Sequence, residues 1–215
     1  MCDGYDGYHN LPSEITVVGC LSHIRRKFHE ALQGLPKEAQ KDSKADIGMW
    51  YCNALFRLER KYAEYDDTRK RYRVRLEQSL PLAEDFLLWA KSVDALPKTL
   101  LGKAVNYVIE QWGYLKNVYL DGRLEICNNR AERSMKNFVI GRKNWLFSNT
   151  VNGAKSSAVI YSIMETAKEN RLKPSEYLVW LLQTIPNTTT SKICDLLPGS
   201  PKIPASCRMP DISKK

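Results

Sequence analysis

Apolar residues recur at helical spacing through most of the chain, and short β-branched or strand-like stretches interrupt that pattern. Ile15-Thr16-Val17-Val18-Gly19-Cys20 is bounded by turn residues and predicts a buried strand. Over 21–32 the pattern changes to a helix, with Ile24, Phe28, Ala31 and Leu32 on one face and Arg25, Arg26 and Lys27 largely off it. Gly34 and Pro36 end it. Residues 45–65 predict a second helix with Trp50, Leu55, Leu58 and Tyr62 inward. A third, capped by Asp67 or Thr68, carries the basic run Arg69-Lys70-Arg71-Tyr72-Arg73-Val74-Arg75. Pro81 is expected to kink or break it before it continues over 82–95. After Pro97 a helix over 99–116 turns Leu101, Val105, Val108, Ile109 and Trp112 inward.

Asp121-Gly122 marks a turn ahead of the strand-like triplet Leu124-Glu125-Ile126. A helix is expected near Asn129, with Asn129 as its cap and Glu132 at the third position, where a carboxylate is favoured. Residues 139–147 predict irregular or partly extended chain, and Asn152-Gly153 a turn. A helix over 154–169 places Val159, Ile160, Ile163, Met164 and Ala167 inward, and Pro174 starts another that ends near Thr184. Residues 187–215 are rich in Thr, Ser, Pro and Lys and are expected to form a flexible tail. The helical block between the first helix and Asp121 is roughly 70–80 residues, more than a crossover between strands requires.

Composition narrows the function classes. The 215 residues suffice for one large domain, and a 43% hydrophobic fraction is adequate for a core. The net charge of +9 and pI ≈ 9.2 favour an acidic partner such as nucleic acid. Cys2, Cys20, Cys52, Cys127, Cys194 and Cys207 are widely spread with no CxxC pair, which suits a reducing cytosol better than a disulfide framework. No apolar run approaches the ~20 residues that cross a membrane, and the N-terminal residues show no secretory pattern.

The candidate chemistry centres on Glu132, which sits among Arg130, Arg133, Lys136, Arg142 and Lys143. It reads either as a neutralised surface acid or as a metal-binding acid beside a surface that holds polyanionic nucleic acid. Asp3, in a tight turn, is the second acid placed where chemistry would want one. Two-metal phosphoryl transfer needs several carboxylates converging on hard divalent cations. Cys20 and His23 are spaced like two metal ligands, but a closed zinc site needs four, so a packed thiol and a hydrogen-bonded imidazole are favoured and no zinc is expected. The run Arg69–Arg75 is more often a solvated helix face than a DNA contact. Trp145 and Phe147, near Arg142 and Lys143, suit either core packing or the aromatic interleaving of nucleic-acid surfaces.

In order along the chain, Asp3-Gly4-Tyr5 with Tyr8, Gly19-Cys20-x-x-His23-x-Arg25-Arg26-Lys27-Phe28, Asp121-Gly122-Arg123-Leu124-Glu125-Ile126, Asn128-Asn129-x-Ala131-Glu132-Arg133, Gly141-Arg142-Lys143-Asn144-Trp145-Leu146-Phe147, Gly153-Ala154-Lys155 and Tyr161-Ser162 resemble the insertion-sequence-66 family of bacterial transposases. Lys173-Pro174-Ser175-Glu176-Tyr177-Leu178 is similar to that family's small C-terminal element. The resemblance covers nearly everything from Asp3 to about Pro186, and several motifs in the right order make it specific.

The resemblance implies an α/β, helix-dominated chain: a partial RNase H-like domain with a large all-helical insertion and its N-terminal strands missing. It also implies a D-D-E triad of metal-binding acids that cuts and joins DNA at transposon ends with Mg²⁺ or Mn²⁺. Asp3 matches the second acid and Glu132 the last. Arg25, Arg26, Arg130, Arg133, Lys136, Arg142, Lys143 and Trp145 are the expected DNA contacts. The expected division is 1–33 core, 34–120 insertion, 121–153 Glu-bearing segment, 154–186 C-terminal element and 187–215 tail. Beside DNA, a homo-oligomer and an upstream transposase fragment are admitted as partners, with no membrane and a cytoplasmic, nucleoid-associated location.

The chain departs from the family in two respects. The first acid of the triad is not among these residues, so the chain is expected to be a C-terminal fragment from a truncated or interrupted frame, inactive alone. A non-enzymatic DNA-binding module derived from a transposase is the alternative. The residue before Asn128, usually Asp in the family, is Cys127. A thiol is a poor ligand for Mg²⁺, which prefers hard oxygen. If that residue only caps a helix, the change costs about 1 kcal/mol.

Overall fold

The structure is a computed structural model whose described residues are 1–210 without 5, 6, 8–10, 13, 66, 146 and 147, and of Arg142 and Trp145 only the backbone is described. Tyr5, Tyr8, Leu146 and Phe147 of the family-like motifs therefore lie outside the described residues.

Helix starts follow local chemistry. α1 (Leu21–Gln33) begins after the extended Cys20, and α2 (Lys37–Gln40) is a single turn. Ser43 Oγ accepts from the Asp46 amide at 3.1 Å and starts α3 (Lys44–Tyr62). Asp67 Oδ1 accepts from the Arg69 amide at 2.8 Å and starts α4 (Thr68–Val74). Between α4 and α5 (Leu80–Ser92) the backbone widens into a π-turn, Arg75–Ser79. Pro81 lies just beyond, and in α-geometry its ring would strike the Glu77 carbonyl four residues back. The widening replaces the expected kink or break and lets the helical path continue. Thr99 caps α6 (Leu100–Leu115) through the Gly102 amide at 3.0 Å. Then come α7 (Asn129–Trp145), α8 (Val151–Glu169), capped by Thr150, and α9 (Pro174–Thr184).

Chain contacts separate two compact units, Met1–Glu132 and Arg133–Lys215, and the boundary falls inside α7. In the first, α1 packs on α3 and α6, and α5 packs on α3 and α6. Ile24, Phe28, Leu55, Phe86, Val105 and Val108 are buried between them. Phe28, Tyr51, Phe86 and Trp89 form a ring cluster, with Phe86 at 5.8 Å from Phe28 and 5.0 Å from Tyr51 between centroids.

The inward face of α3 differs from the expected one. Ala45, Gly48, Met49, Cys52, Leu55 and Tyr62 are buried, whereas Trp50 is 55% exposed. The buried row is made of small residues because α1 comes close: a Cβ on Gly48 would lie 2.3 Å from the Phe28 ring. Ile109, expected inward on α6, is likewise largely on the surface.

The expected strand over 15–20 is corrected. Its only ladder-like pairing among the described residues is one parallel bridge, Cys2 to Gly19, and Leu124-Glu125-Ile126 forms no strand. Single hydrogen bonds to α6 and its continuation hold the run instead, from the Gly19 amide to the Tyr114 carbonyl at 2.9 Å and from Asn117 Nδ2 to the Val17 carbonyl at 2.7 Å. The described residues are helix-dominated, and the expected extended chain over 139–145 is helix.

In the second unit, Ala167, Leu172, Tyr177, Leu181, Leu196, Ile203 and Cys207 form a separate core. Val159 and Ile160, expected inward on α8, are exposed; Ala167, at its C-terminal end, is buried. α9, with 11 residues against 19 in α8, is too short to cover the whole face. Residues 187–209, expected as a flexible tail, dock on this core. The Lys173 amide donates to the Cys207 carbonyl at 2.8 Å, the Met209 amide to Arg171 at 2.9 Å, and Tyr177 Oη to the Leu196 carbonyl at 2.6 Å. Three buried side chains from this stretch, Leu196, Ile203 and Cys207, suffice once α8 and α9 offer a surface. Tyr177→Phe is expected to cost about 1–3 kcal/mol by leaving a buried carbonyl unpaired. It should appear as a lower unfolding midpoint and faster proteolysis within 190–207, and unchanged values would show that the bond contributes nothing. No described helix is long and apolar enough to cross a membrane.

Candidate active site

Asp3 is positioned by its neighbours on both sides. The Cys2 amide donates to the Val18 carbonyl at 2.9 Å, and the Gly4 amide donates to Tyr107 Oη at 2.9 Å. Gly4 is required there: a Cβ would lie 2.8 Å from the Tyr107 ring and hydroxyl. Desolvation by burial raises the Tyr107 phenol above its usual range, so it stays protonated.

Glu132 reaches the same place from the other end of the unit. The Leu21 amide donates to the Ile126 carbonyl at 3.0 Å, and the Asn128 amide donates to Cys20 Sγ at 3.4 Å, fixing the chain just before α7. The Glu132 amide donates to the Asn128 carbonyl at 3.0 Å, so Asn128, one residue earlier than expected, precedes the first turn. Glu132 remains in that turn, where free amides and the helix dipole favour a carboxylate.

Asp3, Asn128 and Glu132 line one open pocket of ≈ 340 Å³ with Thr16 and Val17. Glu132 Oε1 lies 3.7 Å from His23 Nε2, and its side chain is 44% exposed. Asn128 Oδ1 and His23 Nδ1 are buried with no hydrogen-bond partner among the described residues. Such atoms cost about 1–3 kcal/mol each unless something fills them. Two of the lining residues, Asp3 and Glu132, carry carboxylates, hard ligands of the kind Mg²⁺ takes. Among the described residues no three His, Cys, Asp or Glu side chains form a metal-holding group.

Among the described residues the basic side chain within 4.0 Å of Glu132 is the His23 imidazole, and Arg130 turns to Glu125 at 3.1 Å. Arg133, Lys136 and Lys143 are exposed on the part of α7 in the second unit. The Arg142 and Trp145 side chains lie outside the described residues. Arg25 and Arg26 line a separate open cleft in the first unit, where Arg25 Nε donates to Asn53 Oδ1 at 2.8 Å. Cys20 is buried, accepts the Asn128 amide and has its thiol pushed up by burial, the behaviour of a packed thiol. Cys127 does not line the acid pocket. Asn128 adjoins the expected cap position, and Arg57 and Arg60 follow Asn53 at helical spacing, but neither pattern by itself marks a pocket or a cleft.

The family profile described as "Transposase IS66 family" matches residues 1–156, and that of the "IS66 C-terminal element" matches residues 162–198. The chain belongs to the IS66 transposase family. Proteins similar to it include three uncharacterized proteins of Sinorhizobium fredii. y4hP is 28% identical over 194 residues, covering 86% of this chain and 35% of its own length. y4qI is 31% identical over 195 residues (85% and 34%), and y4jD 30% over 211 residues (91% and 40%). The chain thus spans well under half the length of these relatives. No solved structure matches it.

Proposed function

We propose that these residues carry part of the catalytic site of an IS66 transposase, acting in DNA strand cleavage and transfer at transposon ends, with Asp3 and Glu132 as two ligands of a divalent metal. The observation that carries the reading is convergence: two carboxylates from opposite ends of the first unit line one pocket beside the orphaned oxygen of Asn128. A bound Mg²⁺ or Mn²⁺ would supply activation of the attacking hydroxyl and stabilisation of the leaving oxygen. Asp3 and Glu132 would hold it, Asn128 would support the wall beside them, and His23 would orient the Glu132 carboxylate through its Nε2. We read the parallel Cys2–Gly19 bridge as the edge of an RNase H-like sheet and residues 34–120 as its helical insertion.

Mn²⁺ binding to the chain, followed by electron paramagnetic resonance, tests this. Asp3→Asn and Glu132→Gln are each expected to weaken binding at least about tenfold, as loss of one charged hard ligand should. Binding that survives both changes would sink the assignment. The absence of a three-acid group among the described residues favours a second reading, a DNA-binding module without catalysis. Metal-dependent nicking of transposon-end DNA that Glu132→Gln abolishes would exclude it.

A further inference from the structure

α1 and α3 face each other with matching polar stripes. On α1, Ser22, Arg25, Arg26 and His29 recur at positions i, i+3, i+4 and i+7. On α3, Asn53, Phe56, Arg57 and Arg60 recur with the same spacing. The two stripes line an open cleft of ≈ 790 Å³. Four guanidinium groups and no carboxylate line it, and among the described residues none of the four makes an ion pair within 4.0 Å. The nearest acid on α3, Glu59, is turned to the opposite side and held by Arg75 at 2.6 Å. All four arginines are exposed, so the charge is presented to solvent rather than spent inside the fold.

The cleft ends at the start of α7. Asn129 lines the cleft while its neighbour Asn128 and Glu132, one turn on, line the acid pocket. On α1, Ser22 lines the cleft and the next residue, His23, meets Glu132. Two helix starts, those of α1 and α7, are thus the common rim of a concentrated positive cleft and an acid pocket, both within the first unit.

We propose that this cleft seats the phosphodiester backbone of a DNA strand, with Arg57 and Arg60 of α3 opposing Arg25 and Arg26 of α1, so that the strand runs past Asn129 toward the acid pocket. The proposal rests on the reading of Asp3 and Glu132 as a DNA-processing site and assigns its DNA-positioning surface to an element outside the acid-bearing segments. Forked guanidinium donors suit phosphate oxygens, and Phe56 in the wall offers an apolar face beside the sugar and base. Glu132 and Asp3 need a phosphate delivered at close range, and four unpaired cations on the adjoining wall give that delivery a fixed direction.

The test measures fluorescence anisotropy of a labelled 20-mer duplex against the full chain at several salt concentrations. Neutralising n phosphates gives a slope of log K on log[salt] near −0.9n. Arg57→Gln/Arg60→Gln is expected to make the slope shallower by about 2 and to weaken binding at low salt about tenfold or more. Arg57→Lys/Arg60→Lys, which keeps the charge, should hold the slope, and an unchanged circular-dichroism melt shows that the exposed substitutions leave the fold intact. Arg69→Gln/Arg73→Gln on α4 removes equal charge away from the cleft and should change the slope by less. An unchanged slope in the first variant, or an equal loss in the α4 variant, overturns the proposal. So does inorganic tripolyphosphate that displaces the DNA at concentrations below those matching its ionic strength, which would make the cleft a small-anion site. If the cleft variant binds DNA normally while Mn²⁺ binding persists, this inference falls and the metal reading stands; if Mn²⁺ binding is absent while the slope falls as expected, the reverse holds.

Discussion

Arg75→Met is expected to destabilise the first unit by about 3–5 kcal/mol, the usual cost of stranding one member of a buried ion pair. Arg75 is 1% exposed. Its Nε and Nη2 donate to both oxygens of Glu59 at 2.8 and 2.6 Å, Nη1 to the Asp121 carbonyl at 3.2 Å and Nη2 to the Leu124 carbonyl at 2.6 Å. One side chain therefore ties the π-turn to α3 and to the loop that leads into the Glu132 helix. Removing it leaves the Glu59 carboxylate, only 12% exposed, without its cation and two carbonyls without donors. Chemical denaturation reads the loss. Arg75→Met/Glu59→Leu should recover part of it, because the stranded charge is gone, but not all, because the two carbonyls stay unpaired. A single variant within about 1 kcal/mol of the parent would contradict the clamp.

Phe28→Ala is the second large effect, about 3–5 kcal/mol for emptying a fully buried aromatic site. Phe28 meets Phe86 at 5.8 Å and Trp89 at 5.9 Å, and its ring occupies the space over Gly48. The complementary change, Gly48→Ala, overfills that space and should cost about 1–3 kcal/mol. In the pair Phe28→Leu/Gly48→Ala the smaller side chain admits the added methyl, so the double variant should lose less than the sum of its parts. Strict additivity, measured by a double-mutant cycle, would mean that the ring and the glycine do not share the contact.

Where the sequence carried a local signal, the fold was legible. Asp67, Thr99 and Pro174 begin helices as capping chemistry requires, and α9 ends at Thr184 as expected. What failed depended on distant partners. A β-branched run such as Ile15–Cys20 becomes a strand only if a neighbour supplies a ladder, and here α6 supplies single hydrogen bonds instead. Trp50 is the largest apolar residue on its helix, yet the close approach of α1 selects small residues for the buried row. The docking of residues 190–207 depends on a surface built by α8 and α9, which their own composition does not announce. At the candidate site Asp3 and Glu132 were legible only as candidates, by family motif. The orphaned Asn128 oxygen and the facing arginine stripes were not, because both arise only when helices meet.

The acid pocket is held differently from the core beneath it. Asp3 and Glu132 come together through isolated hydrogen bonds between segments far apart in the chain: Cys2 to Val18, Gly4 to Tyr107, Leu21 to Ile126 and Asn128 to Cys20. Each closes a loop whose entropy is lost before the bond forms, and among the described residues no ladder makes them cooperative. The helices can therefore fold first and the pocket close last, and the pocket can reopen while the ring cluster stays packed. The grip on the first few residues then sets how often the two carboxylates meet, a quantity that can vary without any change in the melting of the helical core.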